Sequence, residues 1–448
     1  MKDFTRGNIT RQIILFSIPM LIGNVFQQLY SMVDAVVVGR FVSGTALASV
    51  GVAMNVLQFL IAALIGLTTG ASVLISQFYG AKQPDRLERT VATSVIFLAV
   101  FSVGVSVIGV VFAPLILRLL NTDPEISGDA ALYMRVLMAG MLFPIFYNMY
   151  TAYLRALGDS RGPLFILICC TVLNTGLDLL FVIQFNMGVF GVAIATVIAQ
   201  CVSAVLCFLY ARFRVPLLHI KKLGFDKSLF VSILKYGLPA AFQLSIVSLA
   251  SLTITRLINA FGPAAIAGIT AAAKIDQLAI MPVSSVSMAL STFVAQNMGA
   301  NQEDRAKKGL RSAFVIMTAL ALCISGLLFI FNPSIVKLFL NQNDADTAEI
   351  LRVGLEYLNI LVAFYFLFAS LFAFNGFFRG VGDAVIAMAF PVISLTIRSV
   401  AAHLLVRYAG MGPEALAWSI PVGWGITSLA SFVYYKKRLW AGKVSVRA

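Results

Sequence analysis

Apolar runs long enough to cross a bilayer follow one another along almost the whole chain, separated by short polar connections rich in Lys and Arg. A membrane-spanning helix needs roughly 20 apolar residues. The pattern predicts twelve spans, at about 13–38, 47–76, 91–112, 131–154, 163–184 and 189–211, then 233–260, 264–295, 310–332, 354–378, 385–407 and 414–435. The runs are continuous, unlike the alternating segments of about ten residues that build an outer-membrane barrel. The first run is too long for a cleaved signal peptide, and no small-residue cleavage site follows it. Several runs exceed the minimum length, which implies tilt or projection beyond the bilayer.

Hydrophobic residues make up 60% of the chain and charged residues 12%, with a mean hydropathy of +0.93. An ordinary soluble domain is excluded. The net charge of +14 would suit a nucleic-acid binder, but its placement follows membrane topology. Of the 33 Lys and Arg, 24 fall at the two termini and in alternate connections, and 6 in the other connections. Arg256, Lys274 and Arg398 lie inside spans. The asymmetry predicts a multi-pass protein of the cell membrane with both termini cytoplasmic and no nucleic-acid partner. The 5 Cys lie in apolar segments without zinc or disulfide spacing, and 2 His cannot build a histidine metal site. No phosphate-cradling G-x-x-x-x-G-K-[ST] occurs. No cofactor is expected, and uphill transport would draw on an ion gradient or a separate subunit.

The chain also repeats. Gln77, Gly80, Ala81, Asp85 and Arg86 match Gln296, Gly299, Ala300, Asp304 and Arg305, while Pro19 matches Pro239. Further on, Tyr133, Arg155, Gly158 and Asp159 match Tyr357, Arg379, Gly382 and Asp383. The spacing drifts only in connections. The expected fold is therefore an all-α integral membrane protein of twelve transmembrane helices. Two six-helix lobes, related by a pseudo-two-fold axis normal to the membrane, cover 1–211 and 233–448. The basic connection 212–232 is a cytoplasmic linker that can include a surface-lying amphipathic piece.

Within the first span, Gln27, Tyr30 and Asp34 share one helical face. Asp34 sits about 5–8 Å inside the far end at 1.5 Å per residue. A carboxylate inside a membrane is expensive and marks a transport pathway or proton relay by default. The fifth span carries Thr171, Asn174 and Asp178 on one face and runs in the same direction, so Asp178 reaches a similar depth. Thr196 in the sixth span adds an oxygen. Burial and mutual repulsion favour proton capture by two such acids, and the same oxygens suit Na⁺ at Asp34, Asn174, Asp178 and Thr196. The bland alternative is an interfacial Asp34 and an Asp178 capped by polar neighbours.

The second half lacks this set: Asn174 corresponds to Arg398 and Asp178 to Ala402. Arg256, Lys274, Asp276 and Arg398 are its intramembrane charges, either paired between helices or lining a substrate cavity. Lys274 and Asp276 are two apart and do not face each other, so each needs another partner. Lys274, Gln277, Met281, Ser284 and Met288 form one stripe, which suits either a pliable substrate wall or ordinary packing. Gly66 and Gly70, like Gly376 and Gly380, read as close helix contacts. Pro19 and Pro239 are expected to kink their spans, as static bends or as hinges.

Taken together, Pro19…Gln27…Tyr30…Asp34 before Val38-Gly39, the paired Gln-x-x-Gly-Ala turns, Arg155-Ala-Leu-Gly158-Asp159 and Asn174…Asp178 resemble the multidrug and toxic compound extrusion (MATE) family. The resemblance covers essentially the whole chain. It implies a V-shaped antiporter that exports organic, cationic or amphipathic compounds in exchange for inward H⁺ or Na⁺, and not an enzyme. It carries ion coupling onto Asp34, Asn174, Asp178 and Thr196 with Tyr30 and Gln27 beside them, and the bend of the first helix onto Pro19. A monomer is expected, with a small-molecule substrate and the lipid bilayer as partners. A flippase for lipid-linked oligosaccharides, similar at superfamily level, is the alternative, with Arg256, Lys274 and Arg398 in its cleft. An intramembrane aspartyl protease is a second, because Gly380-Val381-Gly382-Asp383 reads G-x-G-D. Against it, Asp383 falls in an inner connection and matches Asp159, as a turn element would.

Overall fold

The computed structural model describes residues 2–337 and 347–442, with the side chains of 248–253, 256, 333 and 337 also outside the described residues. Arg256, a candidate above, is among those side chains. Fourteen α-helices, and no strand, occur among the described residues. They are α1 (Ile9–Phe41), α2 (Gly44–Gly80), α3 (Pro84–Leu119), α4 (Pro124–Ala139), α5 (Leu142–Ala156), α6 (Arg161–Leu179) and α7 (Gly188–Arg214). The second series is α8 (Lys227–Asn259), α9 (Pro263–Gly299), α10 (Glu303–Lys337), α11 (Thr347–Ala363), α12 (Tyr365–Val381), α13 (Ala384–Tyr408) and α14 (Glu414–Lys436). Among the described residues, ten helices are long and apolar enough to cross a membrane, and two further spans arise if α4–α5 and α11–α12 each count as one.

Those two pairs are bent by 52° and 53°. The first break falls at Gly140 and the second at Phe364, which occupy corresponding positions in the repeat. Pro144 just inside α5 supplies a helix-starting residue in one half. The other half bends through Phe364 without glycine or proline. The bend is therefore a property of the repeated packing rather than of one breaker residue. Pro19 and Pro239, by contrast, lie within helices that remain continuous.

The chain forms two compact units: Met1–Asp3 with Ile18–Ala241, and Phe4–Ser17 with Phe242–Ala448. Each unit thus takes in the opening of a helix whose remainder belongs to the other. α1 passes from the second unit to the first one residue before Pro19, and α8 passes the opposite way two residues after Pro239.

The duplicated turns explain how the openings are held. In the second unit, Phe4 N donates to Gln296 Oε1 at 3.1 Å. The Phe4 carbonyl accepts from Asn297 Nδ2 at 3.1 Å and from Arg305 Nε at 3.0 Å. Arg305 also donates to Gln12 Oε1 at 3.1 Å, and the Phe4 ring packs on Phe16 and Phe293. In the first unit, Asp226 N donates to Thr93 Oγ1 at 3.1 Å.

Asp226 also caps α8. Its Oδ1 accepts from the backbone of Ser228 at 2.9 Å and of Leu229 at 3.2 Å. The Ser228 hydroxyl and those amides hold its carboxyl below the usual range. The stability this contributes is present above the unfolded carboxyl pKa and lost as pH falls through the folded one. Asp226→Ala should cost about 1 kcal/mol at neutral pH, measured as a lower thermal midpoint in detergent. A variant that unfolds at the wild-type temperature would refute the cap.

Small residues set the closest helix contacts. On α2, Gly66 and Gly70 face Ala241 and Gly237 of α8 within the first unit, a G-x-x-x-A stripe against G-x-x-x-G. On α12, Gly376 and Gly380 lie against the carbonyls of Ser287 and Ser291 of α9. Both sequence stripes are packing surfaces.

Candidate functional site

α1 and α6 bring three polar side chains together inside the first unit. Asp34 is 9% exposed, and Asn174 and Asp178 are fully buried. With its amide nitrogen turned toward the acids, Asn174 donates to Asp34 Oδ1 at 3.0 Å and to Asp178 Oδ2 at 3.2 Å. That orientation follows from the hydrogen-bond network, since the opposite one would set oxygen against oxygen. The two carboxyl groups are themselves within hydrogen-bonding reach of each other when one carries a proton. Asp178 stands just before a π-helical turn, Leu180–Gln184, that interrupts the end of α6, a distortion often found at functional sites.

Around this core lie further oxygens. Tyr30 Oη is within hydrogen-bonding reach of Asp34 and of Thr196 Oγ1, while Asp178 Oδ1 and Thr171 Oγ1 are buried without a hydrogen bond to the protein. Tyr30 and Tyr133 both lie within electrostatic reach of the two acids. Tyr133 was not a candidate from sequence; its only signal there was a match to Tyr357 in the repeat. Gln27 lies elsewhere and is exposed, lining a cavity of about 60 Å³ with Pro19, Asn148 and Arg155. Chemically, the cluster can hold a proton between its carboxyls, or a hard cation on the Asp34, Asp178 and Thr196 oxygens if the Asn174 amide turns over. No cluster of three or more His, Cys, Asp or Glu occurs among the described residues.

The second unit builds a different arrangement. Tyr365 Oη donates to Asp276 Oδ1 at 2.7 Å, and Arg398 acts electrostatically on both Asp276 and Tyr357. The partner that Asp276 needs thus comes from α12 and α13 rather than from Lys274. Lys274 and Gln277 are exposed and Met281 is half-buried.

Asp383 starts α13 and accepts from Tyr434 Oη at 2.6 Å, just as Asp159 accepts from Tyr210 Oη at 2.8 Å. Both acids tie an interhelical turn to a neighbouring helix, so the G-x-G-D string has a structural explanation.

The MatE family profile matches residues 19–180 and 239–404, one copy in each half. The chain belongs to the MatE family. Among relatives, it is 29% identical over 442 residues to the probable multidrug resistance protein YoeA of Bacillus subtilis, covering 96% of this chain and 94% of that one. It is 27% identical over 416 residues to the probable multidrug resistance protein NorM of Thermotoga maritima, covering 90% and 87%. A solved outward-facing multidrug resistance MATE transporter superposes with a TM-score of 0.89 at 23% identity over 98% of both chains, a likeness of fold. This MatE protein is accordingly a multi-pass membrane transporter of the multidrug efflux family and not an enzyme. Neither the flippase nor the protease reading is favoured.

Proposed function

We propose that this transporter exports organic cationic or amphipathic compounds in exchange for inward protons taken up at Asp34 and Asp178. The observation that carries the proposal is the single Asn174 amide bridging two buried carboxylates. Two unneutralised charges in so dry a pocket are costly, and a shared proton relieves them, as in paired-carboxylate enzymes. The Asn174 nitrogen facing both acids favours H⁺ over Na⁺, which would need the amide oxygen instead. The relatives' names support multidrug substrates. The excess of Lys and Arg in alternate connections supports cytoplasmic termini. All residues of the cluster come from one unit of one chain, which supports a monomer.

Proton uptake removes a negative charge beside Tyr30 on α1, and α1 changes unit one residue before Pro19. Pro19 is the hinge through which that change moves the helix, opening the substrate path alternately to each side. In the second unit Arg398 stands where the first has Asn174 and Ala402 where it has Asp178, so Asp276 has a cation beside it rather than a second acid. Asp276→Asn should therefore leave the proton-to-substrate ratio unchanged, read by the reversal gradient; a changed ratio would place a second proton site there. Lys274, Gln277 and Met281 line the substrate path on α9.

The test is ethidium movement in proteoliposomes under separately imposed pH and Na⁺ gradients. A pH gradient alone should drive it and a Na⁺ gradient at equal pH should not. The reverse result would overturn proton coupling.

A further inference from the structure

A second cavity in the first unit lies far from the chemistry above, at the end of α7. It has a volume of about 570 Å³, within the range of about 300–1,000 Å³ typical of small-molecule sites. Its walls are of two kinds. Tyr150 and Phe208, an edge-to-face pair with ring centroids 5.9 Å apart, join Leu217 and Leu218 as the apolar part. Arg212 and Lys221 supply two positive charges, and no acid lines the cavity.

The cationic part is organised. Arg212 Nη1 donates to His219 Nδ1 at 3.0 Å, and His219 Nε2 donates to the Arg212 carbonyl. The imidazole of His219 thus orients the guanidinium. Lys221 is fixed by its backbone, whose N–H donates to Glu88 Oε1 at 2.6 Å. Neither cation forms an ion pair with a carboxylate among the described residues. The turn Pro216–Leu218 folds the linker back against α7 to close the cavity. Exposed apolar side chains flank it, with Phe213 78%, Leu223 70% and Phe225 51% exposed.

A cavity with an aromatic wall, two cations without a carboxylate partner among the described residues and an exposed apolar rim matches an amphipathic anion. We infer that it binds one anionic phospholipid, the phosphate on Arg212 and Lys221 and the upper acyl chain along Tyr150 and Phe208. This linker, 212–232, carries five Lys and Arg and belongs to the basic set of connections. The leaflet there bears the negative lipid to which such juxtamembrane cations respond. The inference does not depend on proton coupling, so either can fail without the other.

The test is native mass spectrometry of the full-length purified protein titrated with dioleoylphosphatidylglycerol, dioleoylphosphatidylcholine and inorganic phosphate. One phosphatidylglycerol should be retained in preference to phosphatidylcholine. Arg212→Gln with Lys221→Gln should weaken it about 30-fold, roughly fivefold per cation. A second double variant, Lys222→Gln with Lys227→Gln, removes the same charge outside the cavity and should change affinity less than about twofold. All four side chains are exposed, so both variants should fold. Equal retention of phosphatidylcholine would overturn the inference, as would equal loss in both double variants, which marks diffuse surface attraction. Displacement of the lipid by an equal concentration of phosphate would show a free-anion site instead.

Discussion

Asp34→Asn leaves the protein folded in the membrane and reduces pH-driven export to the level of protein-free vesicles. The substitution keeps shape, and the new amide carbonyl still accepts from Asn174, so the contact at 3.0 Å survives. What disappears is a group that can change charge. A gradient can drive transport only through a ligand that binds two states unequally, and a neutral amide binds no proton in either. Asp178→Asn should fail equally, because the two carboxyls act as one unit. The double variant should lose no more than either single one, a non-additivity expected of groups sharing one network. Substrate should still bind all three at equilibrium, more weakly than the wild type because each amide mimics a protonated carboxyl, as measured by fluorescence titration. Undiminished export by Asp34→Asn would refute the coupling role.

Gly66→Ala combined with Gly70→Ala should abolish recovery of folded, monodisperse protein. A Cβ at Gly66 would lie 2.2 Å from the Ala241 nitrogen, and one at Gly70 would lie 2.5 Å from the Gly237 nitrogen and the Ile233 carbonyl. These are backbone atoms, so no side chain can swing aside, and α2 and α8 must separate. Overpacking of this kind costs about 1–3 kcal/mol per site, occasionally more, and two sites on one contact approach the whole stability of many domains. Gly51→Ala with Gly104→Ala is the control, since nothing lies within 4 Å of either added carbon. Removing two helix glycines there should be neutral or favourable by about 0.5–1 kcal/mol each. Size-exclusion profiles and thermal midpoints compare the pairs; equal behaviour would contradict the packing.

Much of this architecture is legible in the sequence because a membrane imposes simple rules. Hydropathy marks the helices, and intramembrane acids are rare enough that Asp34 and Asp178 stand out. Asn174 follows from its place one face-turn before Asp178. The glycine stripes are readable because only backbone contact needs them. Other features have no local code. The bends at Gly140 and Phe364 occupy matched positions in unlike residues, so only the repeated packing accounts for them. The exchange of helix openings between units leaves no trace in hydropathy, because α1 and α8 are apolar on both sides of the crossing. Tyr133 was missed since a buried tyrosine beside acids looks, in sequence, like any other tyrosine of an apolar run. Gln27 shares a helical face with Asp34, yet seven residues along a helix are about 10 Å, enough to place it at a different cavity.

If substrate and proton compete through the Asp34–Asn174–Asp178 cluster as proposed, substrate binding expels protons, and their release can be measured directly. Ethidium is added to the purified transporter in weakly buffered solution near neutral pH, and the pH change is recorded per molecule bound. Release of about one proton per substrate is expected in the wild type, from the carboxyl pair, and none in the double Asp34→Asn, Asp178→Asn variant at equal substrate occupancy. Binding without proton release in the wild type, or undiminished release by the double variant, would contradict it.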